Sequence, residues 1–211
     1  FAHCGKLKSI TIPQNVSFIG AEAFNFCGGL KTIYWNAENV TDFSYDDGPL
    51  TCVSTECEDL KVIFGNTVKS IPSYVLQNCS QVNEIVIGNN VERIGEGAFE
   101  DCNVEELLIP DCVTTIEWAA LNRLNKISNL IIPDSVINLA ELAIQNCDDL
   151  KNITLPSSVD YNNMSGLHCL KNLKNIYISD RSEMFCSIDG VLYGKDSSNT
   201  LAKAPNGRTT I

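Results

Sequence analysis

The chain has 211 residues, 44% of them hydrophobic, and a formal net charge of −11 from 26 acidic against 15 basic side chains. That apolar fraction is ample for a folded core and argues against disorder. The acidic balance, with no Lys/Arg cluster, excludes the basic footprint that nucleic acids and anionic membrane surfaces require, and no apolar run is long enough to span a bilayer.

In chain order, Phe1 to Cys4 copies the spacing of Phe24 to Cys27, so the chain opens inside a repeating unit. It is therefore expected to be a piece of a longer protein, with targeting signals outside it. The unit that follows sets a frame: Val16, an apolar Ile19 three residues on, Phe24 eight on and Cys27 eleven on. The same frame returns at Val68, Leu76 and Cys79, at Val91, Phe99 and Cys102, and at Val136, Ile144 and Cys147. Leu replaces Cys at Val113, Leu121, Leu124 and at Val159, Leu167, Leu170. From Val68 onward the Val-to-Val step is 22 or 23 residues. A fixed period of that size marks a solenoid whose units bury their apolar faces only against neighbours. One domain, 1–211, is expected. Such a shape offers a long surface and no deep pocket, which points first to binding.

Two segments depart from the frame. Val40 to Cys57 spans 17 residues against the usual 11, which places a six-residue insertion within 41–51, carrying Asp42, Asp46 and Asp47. Near the other end, 185–193 reads Phe-Cys-Ser-Ile-Asp-Gly-Val-Leu-Tyr. Asp-Gly between apolar stretches predicts a β-hairpin there.

Within one unit, Val82, Ile85 and Ile87 are apolar, and the last two share one face of a strand, where side chains alternate. A turn follows at Gly88-Asn89-Asn90, a position taken in sister units by Pro13, Pro110, Pro133 and Pro156, which cannot continue a ladder. Val91 to Ile94 predicts a second short strand. Gly95, like Gly20, is expected at positive φ. Ala98, Phe99 and Cys102 have the spacing of a single helical turn.

Ten cysteines invite a disulfide framework. Cys4, Cys27, Cys57, Cys79, Cys102 and Cys147 share one repeat position, however, and Leu124 and Leu170 fill it elsewhere. A slot that accepts Cys or Leu is a buried apolar slot, so these are expected as free thiols. Cys52, Cys112, Cys169 and Cys186 lie off this ladder. Cys52 and Cys57 have a spacing open to pairing or metal binding, without the second ligand pair that zinc sites show.

The run Leu7-x-x-Ile10-x-Ile12-Pro13-x-x-Val16-x-x-Ile19-Gly20-x-x-Ala23-Phe24-x-x-Cys27 resembles the consensus of BspA-like leucine-rich repeats. About ten positions recur at fixed offsets over nearly the whole chain. The resemblance implies an α/β fold, a right-handed leucine-rich-repeat solenoid of about eight repeats, mostly strands and turns with short helical turns and a C-terminal β-hairpin. The hairpin segment with Leu201 and Pro205 is similar to a longer repeat of the same family. The resemblance further implies a secreted or surface-displayed protein of a host-associated microbe, adhesion to host or extracellular-matrix protein, and no common enzyme class.

Candidate chemistry is sparse. A general base near neutral pH is most often His, and the two histidines are His3 and His168. His168 adjoins Cys169, but adjacent side chains rarely face each other, so a thiol nucleophile is not expected. Asp42, Asp46 and Asp47 lack EF-hand spacing and read as a solvated loop. Glu105-Glu106 and Asp148-Asp149 fall in variable slots, where solvated carboxylates are the expectation over a glycosidase pair. No glycine-rich phosphate loop occurs, and no metal or cofactor is expected. Asn-x-Ser/Thr triplets at Asn15, Asn39, Asn78, Asn152 and Asn163 are acceptors only in a eukaryotic secreted setting and read here as chance triplets at turns.

The strand register predicts two outward columns. The first reads Thr11, Tyr34, Phe64, Val86, Leu108, Ile131, Thr154, Tyr177; the second reads Ser9, Thr32, Val62, Glu84, Glu106, Asn129, Asn152, Asn175. At a strand spacing of about 4.8 Å the first would run about 35 Å. Its apolar middle and Tyr flanks suit a partner surface, with Tyr34, Phe64, Val86, Leu108, Ile131 and Tyr177 as candidate contacts beside Glu84 and Glu106. Exposed strands also favour such residues without a partner. Three functions compete: a non-catalytic extracellular adhesion module, a structural spacer in a larger surface protein, and, remotely, a hydrolase built on the insert's aspartates or on the acidic column.

Overall fold

The computed structural model of the protein describes residues 1–50, 57, 59–195 and 200–208. Cys52, and with it any Cys52–Cys57 pairing, lies outside the described residues, as do Thr51 and Ile211. In chain order the strands are β1 (Ser9–Ile12), β2 (Thr32–Trp35), β3 (Leu60–Phe64), β4 (Ser70–Ile71), β5 (Val82–Ile87), β6 (Arg93–Ile94), β7 (Thr115–Ile116), β8 (Asn129–Ile131), β9 (Asn138–Leu139), β10 (Asn152–Leu155), β11 (Asn175–Ile178), β12 (Phe185–Ile188), β13 (Val191–Gly194) and β14 (Leu201–Lys203). One helix of four residues, α1 (Met164–Leu167), precedes β11. No helix among the described residues is long and apolar enough to cross a membrane.

The strands wind into a leucine-rich-repeat solenoid. One side is a parallel face in two pieces, β1-β2-β3-β5 and β8-β10-β11. A second side is the parallel ladder β4-β6-β7-β9, two residues per strand, as the Val91–Ile94 reading predicts. Each coil inserts its Val, Ile, Leu and Phe positions into one continuous core. Seven of the eight repeat strands form. The remaining one, 104–109, buries Val104, Leu107 and Ile109 yet joins neither neighbouring ladder.

The third side differs from expectation. One predicted helical turn forms, α1 at Met164–Leu167, whereas in the coils before it the predicted helical turns are replaced by chains of alternating bonds between coils. Tyr74, Leu76 and Asn78 donate their backbone N–H to the carbonyls of Glu96, Ala98 and Glu100, and between the last two the Gln77 N–H folds back three residues to the Tyr74 carbonyl. The next coil repeats this: Gly97, Phe99 and Asp101 donate to Trp118, Ala120 and Asn122. Every N–H is satisfied only if left- and right-handed residues alternate. Hence Tyr74, Asn78, Gly97, Asp101, Ala119 and Arg123 all have positive φ. Gly95 and Gly20 do not, contrary to the sequence expectation. Gly95 answers to close packing instead: a Cβ there would lie 2.6 Å from the Ser73 nitrogen.

A buried polar ladder runs beneath this side. Gln77 Nε2 donates to one Glu100 carboxylate oxygen at 2.7 Å, Asn122 Nδ2 donates to the other at 2.5 Å, and Asn146 Nδ2 donates to Asn122 at 3.2 Å. The insertion, described over 41–50, docks on its near end: the Asp46 N–H donates to Gln77 Oε1, Phe43 N–H to the Ser73 carbonyl, and Tyr45 packs edge-on to Tyr74.

The cysteine slot is as predicted for five of six positions. Cys27, Cys57, Cys79, Cys102 and Cys147 are buried free thiols, and each donates its S–H to a backbone carbonyl of an earlier coil, from Cys27 to Phe1 at 3.3 Å and from Cys147 to Leu121 at 3.3 Å. Cys4 is exposed. Cys112, Cys169 and Cys186 are free and half-buried. Burial pushes the Cys102 thiol up and that of Cys147 up to about 12. Iodoacetamide at mildly alkaline pH is therefore expected to label Cys4 and leave Cys102 and Cys147 unmodified until the protein is denatured, read by peptide mass.

At the C-terminal end, β12 and β13 form the expected hairpin, with Asp189 and Gly190 both at positive φ in its turn. Two central residues at positive φ give the turn type whose twist matches the strands. β14 extends this into a three-stranded antiparallel sheet.

Candidate functional site

The parallel face is the candidate site. Its register settles which side chains point outward. Thr11 pairs with Tyr34, Tyr34 with Ile63 and Ile63 with Val86, while Trp35, Phe64 and Ile87 form the inward row. Phe64 is therefore not an outward residue: it is 0% exposed, with Trp35 and Phe99 each 6.0 Å away between ring centroids. Val62, placed outward by the sequence reading, is likewise core. The third coil has one residue fewer between Leu60 and its first inward position than its sisters, absorbed as a bulge between Leu60 and Lys61. A one-residue slip moves every side chain to the other face. Ile63 and Lys61 hold the places assigned to Phe64 and Val62.

The other calls keep their positions. Tyr34, Val86, Leu108, Ile131 and Tyr177 are exposed, Leu108 by 83% and Ile131 by 63%. The second column carries the polar cross-links of the face. Lys61 bonds Glu84 at 2.6 Å. Asn175 donates to Asn152 and Asn152 to Asn129 at 2.7 and 2.6 Å, an amide ladder that ties three coils. Glu106 is exposed and has no side-chain partner among the described residues.

Two of the candidate catalytic groups, Asp42 and His168, are held in structural contacts. Asp42 accepts the Ser73 N–H at 2.7 Å and two bonds from Arg93 at 3.1 Å; Arg93 also grips Glu117 at 2.7 Å. Burial opposes the charge on Asp42, but the Arg93 and Ser73 bonds outweigh it and hold the carboxyl below its ordinary value. A folded pKa below the unfolded one contributes stability in full above the ordinary value, and that contribution is lost as pH falls through the depressed one. Pepsin is thus expected to cut the 41–50 segment only as pH drops below about 3.8. In Arg93→Ala the same cut should appear at neutral pH with a neutral protease. His168 does not pair with Cys169: its Nδ1 lies 2.9 Å from Lys203 Nζ. No group of three or more His, Cys, Asp or Glu side chains among the described residues is arranged to hold a metal ion.

A profile of the BspA type leucine rich repeat region matches residues 1–123 and 49–176, in six copies. The chain belongs to this family. Solved structures of leucine-rich repeat proteins share the fold. A leucine-rich repeat protein of T. pallidum is 17% identical with a TM-score of 0.52, over 74% of this chain and 62% of its own. One from Eubacterium ventriosum is 14% identical with a TM-score of 0.56, over 96% of this chain and 46% of its own. One from Bacteroides ovatus is 23% identical with a TM-score of 0.53, over 85% and 56%. The match thus spans about half to two thirds of each of these longer chains. A search of curated proteins finds no match.

Proposed function

We propose that this BspA-type solenoid is a non-catalytic module displayed outside the cell, which binds host or extracellular-matrix protein through the apolar column of its parallel face. The observation that carries this reading is the column itself: Tyr34, Ile63 and Val86 in register across β2, β3 and β5, Ile131 and Tyr177 in register on either side of Thr154 across β8, β10 and β11, and Leu108 exposed on the unpaired coil between the two pieces, five of these six apolar side chains being exposed. Exposed apolar and aromatic residues gathered on one face suit a protein interface. The engagement of Asp42 by Arg93, and of His168 by Lys203, speaks against the hydrolase reading. The spacer reading leaves the apolar column without a use.

The test is surface interferometry of the chain against a panel of extracellular-matrix and mucosal glycoproteins, beside a Tyr34→Ser/Ile131→Ser/Tyr177→Ser variant. All three side chains are exposed, so the variant is expected to keep its melting temperature. Saturable binding by the native chain, weakened at least about tenfold in the variant, is the expected result, equivalent to about 1.4 kcal/mol. Equal binding by both, or binding by neither, rejects this use of the column.

A further inference from the structure

The break in the parallel face is the second feature of this surface. Where neighbouring coils pair, the later one donates to the coil before it at the start of the strand, as from Lys31 to Lys8 and from Lys174 to Lys151. Asn103 still donates to the Val82 carbonyl at the start of β5, at 2.9 Å, but among the described residues 104–109 makes no backbone-to-backbone hydrogen bond, and beyond Val82 the edges of β5 and β8 face each other unpaired. The fifth coil is a residue short, with Cys102 to Val104 two apart where Cys79 to Val82 is three. Its buried side chains stay in the core, but its peptide groups fall out of step with both neighbours.

Leu108 stands as a ridge on this coil. A cleft of about 720 Å³ lies on its β8 side, bounded by Glu105, Glu106, Asp111, Ile131 and Asp149, and a second of about 450 Å³ lies on the β5 side, against Ile87 and Pro110. The four carboxylates of the first cleft are exposed and make no ion pair or side-chain hydrogen bond among the described residues; Lys126 lies on its wall. Elsewhere on the face the acid is matched, as Glu84 is by Lys61.

We propose that this break docks an extended basic segment of a partner protein, in which Lys or Arg alternates with apolar residues. The inference rests on the proposed protein-binding role and names the partner's chemistry. An extended chain turns alternate side chains to opposite sides. One set would cover Leu108 and Ile131, and the other would reach the carboxylate rim. The free peptide groups of 105–108 offer main-chain hydrogen bonds to such a segment, as sheet edges do when a strand is added. The chain's net charge of −11 attracts a cationic segment at long range.

The test uses fluorescence anisotropy with a labelled peptide of alternating Lys and Val, about seven residues or about 23 Å of extended chain. An oligolysine and an alternating Glu/Val peptide of equal length run beside it. The Lys/Val peptide is expected to bind tightest and to weaken as ionic strength rises from about 0.1 M to about 1 M, where the screening length falls from about 10 Å to about 3 Å. Glu105→Gln/Glu106→Gln/Asp111→Asn and, separately, Leu108→Ser should each weaken it about tenfold or more, and bound peptide should slow amide hydrogen exchange across 105–109. Oligolysine binding as tightly, either variant binding like the native chain, or protection elsewhere would overturn the proposal. Glycoprotein binding that persists in the panel while the peptide fails removes this segment alone and leaves the wider reading standing. Peptide binding with an empty panel does the reverse.

Discussion

Phe64→Ala is expected to destabilise the protein by about 3–5 kcal/mol, the cost of emptying an aromatic site in a packed core. Phe64 fills the layer between Trp35 and Phe99, with no exposed surface, and those two rings belong to adjacent coils. Neither can close the gap without leaving its own layer. Because each coil contacts only its neighbours, the loss weakens two interfaces of the stack at once. Ile63→Ser, one residue away and pointing outward, should cost far less. Urea unfolding of both variants separates the two faces. Comparable midpoints would mean that Phe64 does not sit inside.

Glu100→Ala is expected to cost about 2–6 kcal/mol. Glu100 is 5% exposed, and its two oxygens accept from Gln77 Nε2 and Asn122 Nδ2, both buried. Removing the carboxylate leaves two buried donors unpaired, at about 1–3 kcal/mol each. The damage spreads, since Gln77 also receives the insertion through the Asp46 N–H. Glu100→Gln keeps one acceptor and, if Asn122 turns its amide, both contacts, so it should recover most of the loss. Thermal unfolding of the three proteins reads this directly; a Glu100→Ala protein as stable as the native one would show that the ladder contributes nothing.

The solenoid was legible because one period governs it. The Val and Phe slots, and the cysteine slot from Cys27 onward, are core positions in coil after coil. The Asp189-Gly190 turn was legible because local chemistry alone decides it. What failed was counting across short coils. The missing residue after Leu60 is invisible to a pattern of Leu, Ile and Phe, since Val62, Ile63 and Phe64 all suit either face. Lys61 was the available signal: a Lys belongs outward, opposite Glu84, and fixes the register. The spacing of the third side also misled, because residues that suit a helical turn serve equally in a segment of alternating handedness. Its bonds lie between coils, and a single coil's sequence does not contain them. The Arg93–Asp42 clasp joins residues 51 apart and follows only from the fold. On the candidate face, five of the six apolar candidates are exposed, and Ile63 takes the place expected of Phe64.

The most direct measurement is the binding panel with the Tyr34→Ser/Ile131→Ser/Tyr177→Ser variant alongside the native chain. The column as a protein-binding surface predicts saturable capture of at least one matrix or mucosal glycoprotein, lost in a variant that melts at the native temperature. A native chain that captures none of them, or a variant that captures as well, would contradict it.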